Sequence, residues 1–397
     1  NFSRTNPVTG LPSRLMDFLS TLDEVIDYCI DSNIDMAVFA GDAYKNRNPS
    51  QTHQREFAKR IQRLSTAGIP TVLVEGNHDT PSVTGRATAL DIFKTLKVSN
   101  VILGNKAETH IVDTKSGPIQ VVTIPWARRS HLLTRNETKG LSLEGINEII
   151  QEKLSLIISE LASQLDNSIP AILTSHVTIS GAKTSSEQSM MLGRDYVLLN
   201  SSVSLPIFDY VALGHIHKRQ TINENNPPVN YCGSLERIDF GEENDEKGFY
   251  SIEIDESAAT NNRLRKVEFK TVNARKLLTI KVDLDPESPE PTTQVLNEIS
   301  KHNLQDVIVR LIILMPSSYE GKLIDSQIRD ALKPAHYLAG ISVSIKGTER
   351  VRLGSEYNPN TKPIDALKMY LKIKNVPDKH SQLLIETASS IIESSQI

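Results

Sequence analysis

Four short apolar runs, each stopped by a knot of polar residues, constrain the fold of this chain more than any other feature. They are Asp35-Met36-Ala37-Val38-Phe39-Ala40 before Gly41-Asp42, Val72-Leu73-Val74-Glu75 before Gly76-Asn77-His78-Asp79, Ala171-Ile172-Leu173-Thr174 before Ser175-His176, and Asp209-Tyr210-Val211-Ala212-Leu213 before Gly214-His215-Ile216-His217. Short apolar runs bounded by turn signals read as buried strands. In open α/β sheets ligands bind beyond the carboxyl ends of the strands, so the four knots are expected to meet. Each knot taken singly also reads as turn chemistry, because Asn and Asp tolerate the left-handed region and bond to their own backbone.

The segments between the runs supply the crossovers. Leu15, Phe18, Leu19, Leu22, Val25, Ile26, Cys29 and Ile30 recur at helical spacing, with Ser13 placed as an N-cap. A second helix is predicted from about Thr52 to Ala67, closed by Gly68. Strand, helix, strand with short joins predicts a parallel sheet with right-handed crossovers, which sets the strand ends after Ala40 and Glu75 side by side. Further strands are predicted near 108–113 and 119–124, a helix around 142–165 and a strand at 248–254. The acidic run Glu242, Glu243, Asp245, Glu246 reads as a solvated loop. From Lys276 the pattern changes to strand 277–283, helix 293–301, strand 306–314, helix 322–332 and strand 337–346, a small α+β unit with its own core. A polar linker then leads to two amphipathic helices, about 363–374 and 378–394. Their stripes either fold back on their own domain or dock into a partner.

The strand-end groups are one carboxylate, one amide and four imidazoles: Asp42, Asn77, His78, His176, His215 and His217. Oxygen and nitrogen donors without thiolate suit Mn2+, Fe or Zn, and exclude Fe–S or copper–thiolate chemistry. Two ions about 3.5–4 Å apart need a bridging carboxylate, and Asp42 is the candidate. From a tight turn His215 and His217 can straddle two ions. The two cysteines, Cys29 and Cys232, offer no disulfide framework and fit a reducing compartment, a cytoplasmic location being the expectation. At 397 residues two or three domains are expected. A net charge of −4 means that any nucleic-acid surface is a local patch. Lys45, Arg47 and His53 after Asp42, Arg128-Arg129 after Trp126, and Arg263, Arg265, Lys266 and Lys270 are the candidates, each also readable as a solvated face. Neither a membrane-spanning run nor a charged-then-apolar leader is visible in these residues.

The ordered set Gly41-Asp42, Gly76-Asn77-His78-Asp79, His176 and Gly214-His215-Ile216-His217 resembles the calcineurin-like metallophosphoesterase superfamily. Gly41-Asp42-Ala43-Tyr44 leading to Thr52-His53-Gln54-Arg55-Glu56-Phe57, then Ile124-Pro125-Trp126, then residues 233–243 are similar to its branch of bacterial DNA double-strand-break nuclease subunits. The resemblance implies an α/β fold, a two-sheet sandwich flanked by helices, over residues 1–273. It further implies a DNA-capping α+β domain at 274–350, a linker at 351–362 and a helix pair at 363–397 that binds a partner ATPase. By the same resemblance Asp42 bridges two Mn2+ ions, Asn77, His176 and His215 complete one shell, and His217 serves the other. His78 is implied to act on the scissile phosphate as proton donor or charge stabiliser. The implied activity is Mn2+-dependent exo- and endonuclease action on duplex DNA ends and hairpins, by a homodimer. Residues 1–41 hold no Asp-x-His, the superfamily's first motif. That motif is expected upstream of Asn1 or lost from a natural homologue, and either leaves one ion held well, the other weakly, and the nuclease impaired. A small-molecule phosphodiesterase and a non-catalytic scaffold stay open as alternatives.

Overall fold

The computed structural model describes residues 2–81, 85–184, 196–260, 262–346, 363–373 and 376–394. The chain divides into two compact units, Asn1–Leu278 with Asp306–Ile308, and Thr279–Gln305 with Val309–Ile397.

In the first unit, helix α1 (Ser13–Asp31) precedes β1 (Ala37–Phe39), and α2 (Gln51–Thr66) precedes β2 (Thr71–Val74). Helix α3 (Asp91–Thr95) leads to β3 (Val101–Gly104), and β1, β2 and β3 form a parallel sheet in that order. The second sheet begins with the hairpin β4 (Glu108–Thr114) and β5 (Gly117–Ile124). Two single turns, α4 (Arg129–Leu132) and α5 (Arg135–Thr138), lead into α6 (Leu143–Ser163) and then β6 (Ala171–His176). A short parallel pair, β7 (Thr178–Ile179) and β8 (Val197–Leu198), stands apart. After it come β9 (Tyr210–Gly214), β10 (Gln220–Asn223) and β11 (Val229–Tyr231), completing a six-stranded sheet ordered β10-β11-β9-β6-β5-β4. A separate antiparallel pair, β12 (Gly248–Ile254) and β13 (Leu264–Thr271), closes the unit.

Three cores hold these layers. Val72 and Val74 of β2 pack with Val112, Val121, Ile172 and Tyr210 of the larger sheet, so the two sheets face each other. Leu22 and Ile26 of α1 with Phe57, Ile61 and Leu64 of α2 cover the outer face of the small sheet. Ile150, Leu154 and Ile158 of α6 cover the outer face of the large one. The result is helix, sheet, sheet, helix, the layered solution that buries both faces of each sheet.

The predicted parallel pairing is observed: Phe39 lies opposite Leu73, and His176 opposite Gly214. Parallel neighbours in register end at the same level, which places the polar knots together. Ser13 does not cap α1; it is the first helical residue after Pro12, and its hydroxyl accepts from the Arg4 N–H instead. Strands β3, β7, β8, β10, β11 and β13 are not among the expected elements. The first five have only two to four residues, and β13 alternates charge with apolar residues on a half-exposed hairpin.

Strands β14 (Leu277–Asp283), β15 (Ile308–Met315) and β16 (Tyr337–Ile345) form a sheet in that order. Helices Pro291–Ser300 and Asp325–Ala331 bury Val295, Ile299 and Ile328, an α+β arrangement. Helices Pro363–Ile373 and Asp378–Ser394 pack on each other. The linker expected at 351–362 lies outside the described residues. No helix of the described residues is long and apolar enough to cross a membrane.

Candidate metal centre

Two glycines let the strand ends close up. A Cβ on Gly76 would stand 2.1 Å from Asp42 Oδ1 and 2.4 Å from the Asp42 backbone nitrogen. One on Gly41, at φ 104°, would stand 2.1 Å from His176 Nδ1. Only glycine permits both approaches. Asp42 itself takes a positive φ of 55°, which turns its carboxylate back over the β2 turn.

The carboxylate is then fixed from two directions. Its Oδ1 accepts the His78 N–H at 2.8 Å, and its Oδ2 lies 3.2 Å from His176 Nε2. Burial works to raise the Asp42 pKa, but His176 and the His78 backbone together hold it down at about 2. Asp42 is therefore an anion throughout the working range. His176 is fully enclosed, and its Nδ1 lies 2.7 Å from the Ala40 carbonyl oxygen. A carbonyl only accepts, so Nδ1 carries the proton and Nε2 is the donor atom of the neutral ring. That Nε2 sits 3.0 Å from Asn77 Oδ1, and His215 Nδ1 lies 3.1 Å from the same oxygen. His215 reaches this position with a φ of 94° at the end of β9.

Asp42, His176 and His215 thus bring ligand atoms within 4.8 Å of one another, with Asn77 Oδ1 among them. Lone pairs aimed at one another repel unless a proton or a cation lies between them. Burial disfavours the charged His176 ring, yet the Asp42 carboxylate outweighs that and raises its pKa, an electrostatic demand for positive charge at this point. One carboxylate, one amide oxygen and two imidazoles fit a divalent ion of the Mn2+, Fe or Zn type.

Sequence reasoning gave Asp79, Trp126 and Glu242 no part in this centre. Asp79 is buried and accepts from the N–H groups of Gly76 at 3.0 Å and of Ala43 and Tyr44 at 3.2 Å, tying the two polar loops together. Burial first and Asp42 second push its pKa up to about 6. Its place in the Asn-His-Asp turn was the available signal. Trp126 walls the cluster, with ring centroids 5.0 Å from His215 and 6.2 Å from His176, and the Tyr196 ring lies 5.0 Å from the indole. Glu242 corrects the reading of its segment as a solvated loop. It is completely buried, with Oε1 2.8 Å from His217 Nδ1. Burial opposes its charge, but the His217 hydrogen bond and Lys247 hold its pKa down at about 2.

His217 is outside the three-residue group formed by Asp42, His176 and His215. His78 contributes its backbone to Asp42 and keeps a half-buried side chain. Among the basic candidates, Arg47 Nε donates to the Asn77 carbonyl at 3.4 Å, so it borders the cluster. Lys45 is exposed, and the His53 ring lies 2.5 Å from Ser50 Oγ at the start of α2. Arg128 acts electrostatically on Glu75, and Arg129 donates to Asn147 Oδ1 at 3.1 Å. The later basic group does not form an open patch. Arg263 is buried and donates to the carbonyls of Asn167, Ile169 and Ala258, Arg265 pairs with Asp255, and Lys266 and Lys270 pair with Glu268.

Comparison with known proteins gives three findings. Residues 16–219 match the calcineurin-like phosphoesterase family. The chain is 29% identical over 229 residues to the SbcD subunit of the nuclease SbcCD from Staphylococcus epidermidis, covering 57% of this chain and 57% of that protein. It therefore spans little more than half the length of that curated relative. A solved structure of the sulfate thiohydrolase SoxB from Thermus thermophilus aligns over 64% of this chain and 42% of that one, at 10% identity and a TM-score of 0.33, too loose to carry an argument.

Proposed function

The chain belongs to the calcineurin-like phosphoesterase family, and on that premise we propose that it is a nuclease subunit of the SbcD type, hydrolysing phosphodiester bonds in DNA with Mn2+. The observation that carries this reading is the convergence of Asp42, Asn77, His176 and His215 at the ends of β1, β2, β6 and β9. Those four residues would hold a divalent ion, whose chemistry would be to activate a water and offset negative charge on the phosphate. The protein's own groups do the rest. Asp42 stays ionised, the Ala40 carbonyl holds His176 in the tautomer that offers Nε2, and Trp126 shields both imidazoles on one side. His78, beside Asp42 but with its ring outside that cluster, is the proton donor or charge stabiliser for the phosphate.

Within this chain the proposed ligand set is unequal. Asp42, Asn77, His176 and His215 would hold one ion, whereas Asp42 and His217 are the groups offered to a second among the described residues, so we assign the tighter ion to the first set. Arg47 and Arg128, with Lys45, His53 and Arg129, are the proposed contacts to duplex ends and hairpins. The C-terminal helices leave Tyr370, Leu383 and Leu384 exposed, which supports docking to an SbcC-type ATPase through residues 363–397. A cytoplasmic, nucleoid-associated homodimer completes the proposal.

The test is Mn2+-dependent cleavage of linear and hairpin duplex DNA, with His176→Ala as control. Cleavage that requires Mn2+ and vanishes in the variant is expected; cleavage untouched by His176→Ala overturns the assignment. Deletion of 360–397 is expected to abolish ATPase pull-down while metal binding persists.

A further inference from the structure

His217 is gripped at both its ring and its backbone by one buried ion pair. Glu242 Oε1 lies 2.8 Å from its Nδ1, and Lys247 Nζ donates to its carbonyl at 3.0 Å. The same ammonium donates to Glu242 Oε2 at 2.8 Å and to Ser234 Oγ at 2.9 Å. Both charged side chains are 0% exposed. An ammonium has three protons and no acceptor, so these three bonds satisfy Lys247 completely. The second Glu242 oxygen is also bonded by the Ile238 N–H at 3.0 Å.

Such a pair is a poor way to gain stability. Desolvation costs several kcal/mol per ion, and apolar residues of the same volume often serve as well. What the pair does provide is direction. A carboxylate cannot donate, so the proton between Glu242 and His217 belongs to Nδ1, and a neutral imidazole has only one N–H. The lone pair is then on Nε2. Carboxylates placed behind ligating histidines set ring tautomer and orientation in this way.

We propose that Glu242 and Lys247 are positioning residues for His217: Lys247 holds the carboxylate in place, and the carboxylate commits His217 to offering Nε2 to the metal centre. This inference rests on His217 serving that centre, as proposed above.

The experiment is a long-range 1H–15N correlation spectrum of the metal-free full chain labelled at histidine. It is recorded at about pH 8.5, well above the ordinary histidine range, with His217 assigned by its loss in His217→Gln. The expected pattern is Nδ1–H with a bare Nε2, kept in Glu242→Gln, which retains an acceptor, and lost in Glu242→Ala. An Nε2–H ring or a tautomer mixture in the wild type overturns the proposal, as does a pattern unchanged by Glu242→Ala. The wild-type spectrum decides the matter even where the Ala variant does not fold. Adding diamagnetic Zn2+ separates the two claims. A coordination shift at His217 Nε2, needing roughly 10–100-fold more Zn2+ in Glu242→Ala, supports both. The right tautomer with no Zn2+ shift at His217 Nε2 supports the positioning pair and contradicts the metal role.

Discussion

His215 and His217 stand two residues apart, yet the protein aims them by different means. His215 is turned by its own backbone, at φ 94° where β9 ends, and meets Asn77 and Trp126 from neighbouring strand ends. His217 depends on Glu242, 25 residues further along, and on Lys247 behind it. The first is the product of sheet register, and the second of contacts from the later segment that carries Glu242 and Lys247. Perturbing the strand ends and perturbing that segment are therefore expected to have separable effects.

The largest effect is expected at the strand ends. Asp42→Ala removes the group on which His176 and the His78 N–H converge. Mn2+ affinity, read by calorimetry, should fall by more than the roughly 10–100-fold typical of an outer-shell partner, with DNA cleavage lost. His78→Ala should slow cleavage by about 10²–10⁴-fold, the usual yield of a proton-transfer group, with Mn2+ affinity kept. Equal loss of both would place His78 among the ligands instead.

Gly76→Ala tests the close approach itself. Its Cβ meets Asp42 backbone as well as side chain, so thermal melting should report a loss of about 1–3 kcal/mol, the cost of overpacking. Unchanged melting would mean that the loops give way freely.

A smaller effect concerns pH. Burial first, with Asp91 and Asp79 adding to it, pushes the Glu75 carboxyl up to about 7 against an ordinary 4.5, despite the Thr88 hydrogen bond. The folded state therefore keeps a proton that the unfolded chain has released. The stability from Glu75 is complete below about 4.5 and is lost as pH rises to about 7. In metal-free protein, Glu75→Gln should flatten that decline and melt higher than wild type above pH 7 by on the order of 1–2 kcal/mol. A variant with the wild-type slope would assign the decline elsewhere.

The same contrast explains what was legible in the sequence. Apolar runs ending in Gly-Asp, Gly-Asn-His-Asp and Gly-His-x-His declare buried strands with polar ends, and parallel register then brings the ends together without further information. The bonds that fix each donor were hidden. Ala40 contributes only a carbonyl to His176, which no residue type announces. Glu242 reads as a member of an acidic, solvated run, because composition cannot say which charge in a loop turns inward. Arg263 misled for the same reason, a basic residue in a basic stretch that ends up buried on backbone carbonyls.

Counting tight Mn2+ ions per chain by titration, in wild type, His215→Ala and His217→Ala, tests the central claim most directly. The expected result is one tight ion in the wild type, lost in His215→Ala and kept in His217→Ala. No saturable binding, two tight ions, or a tight ion that survives His215→Ala would contradict it.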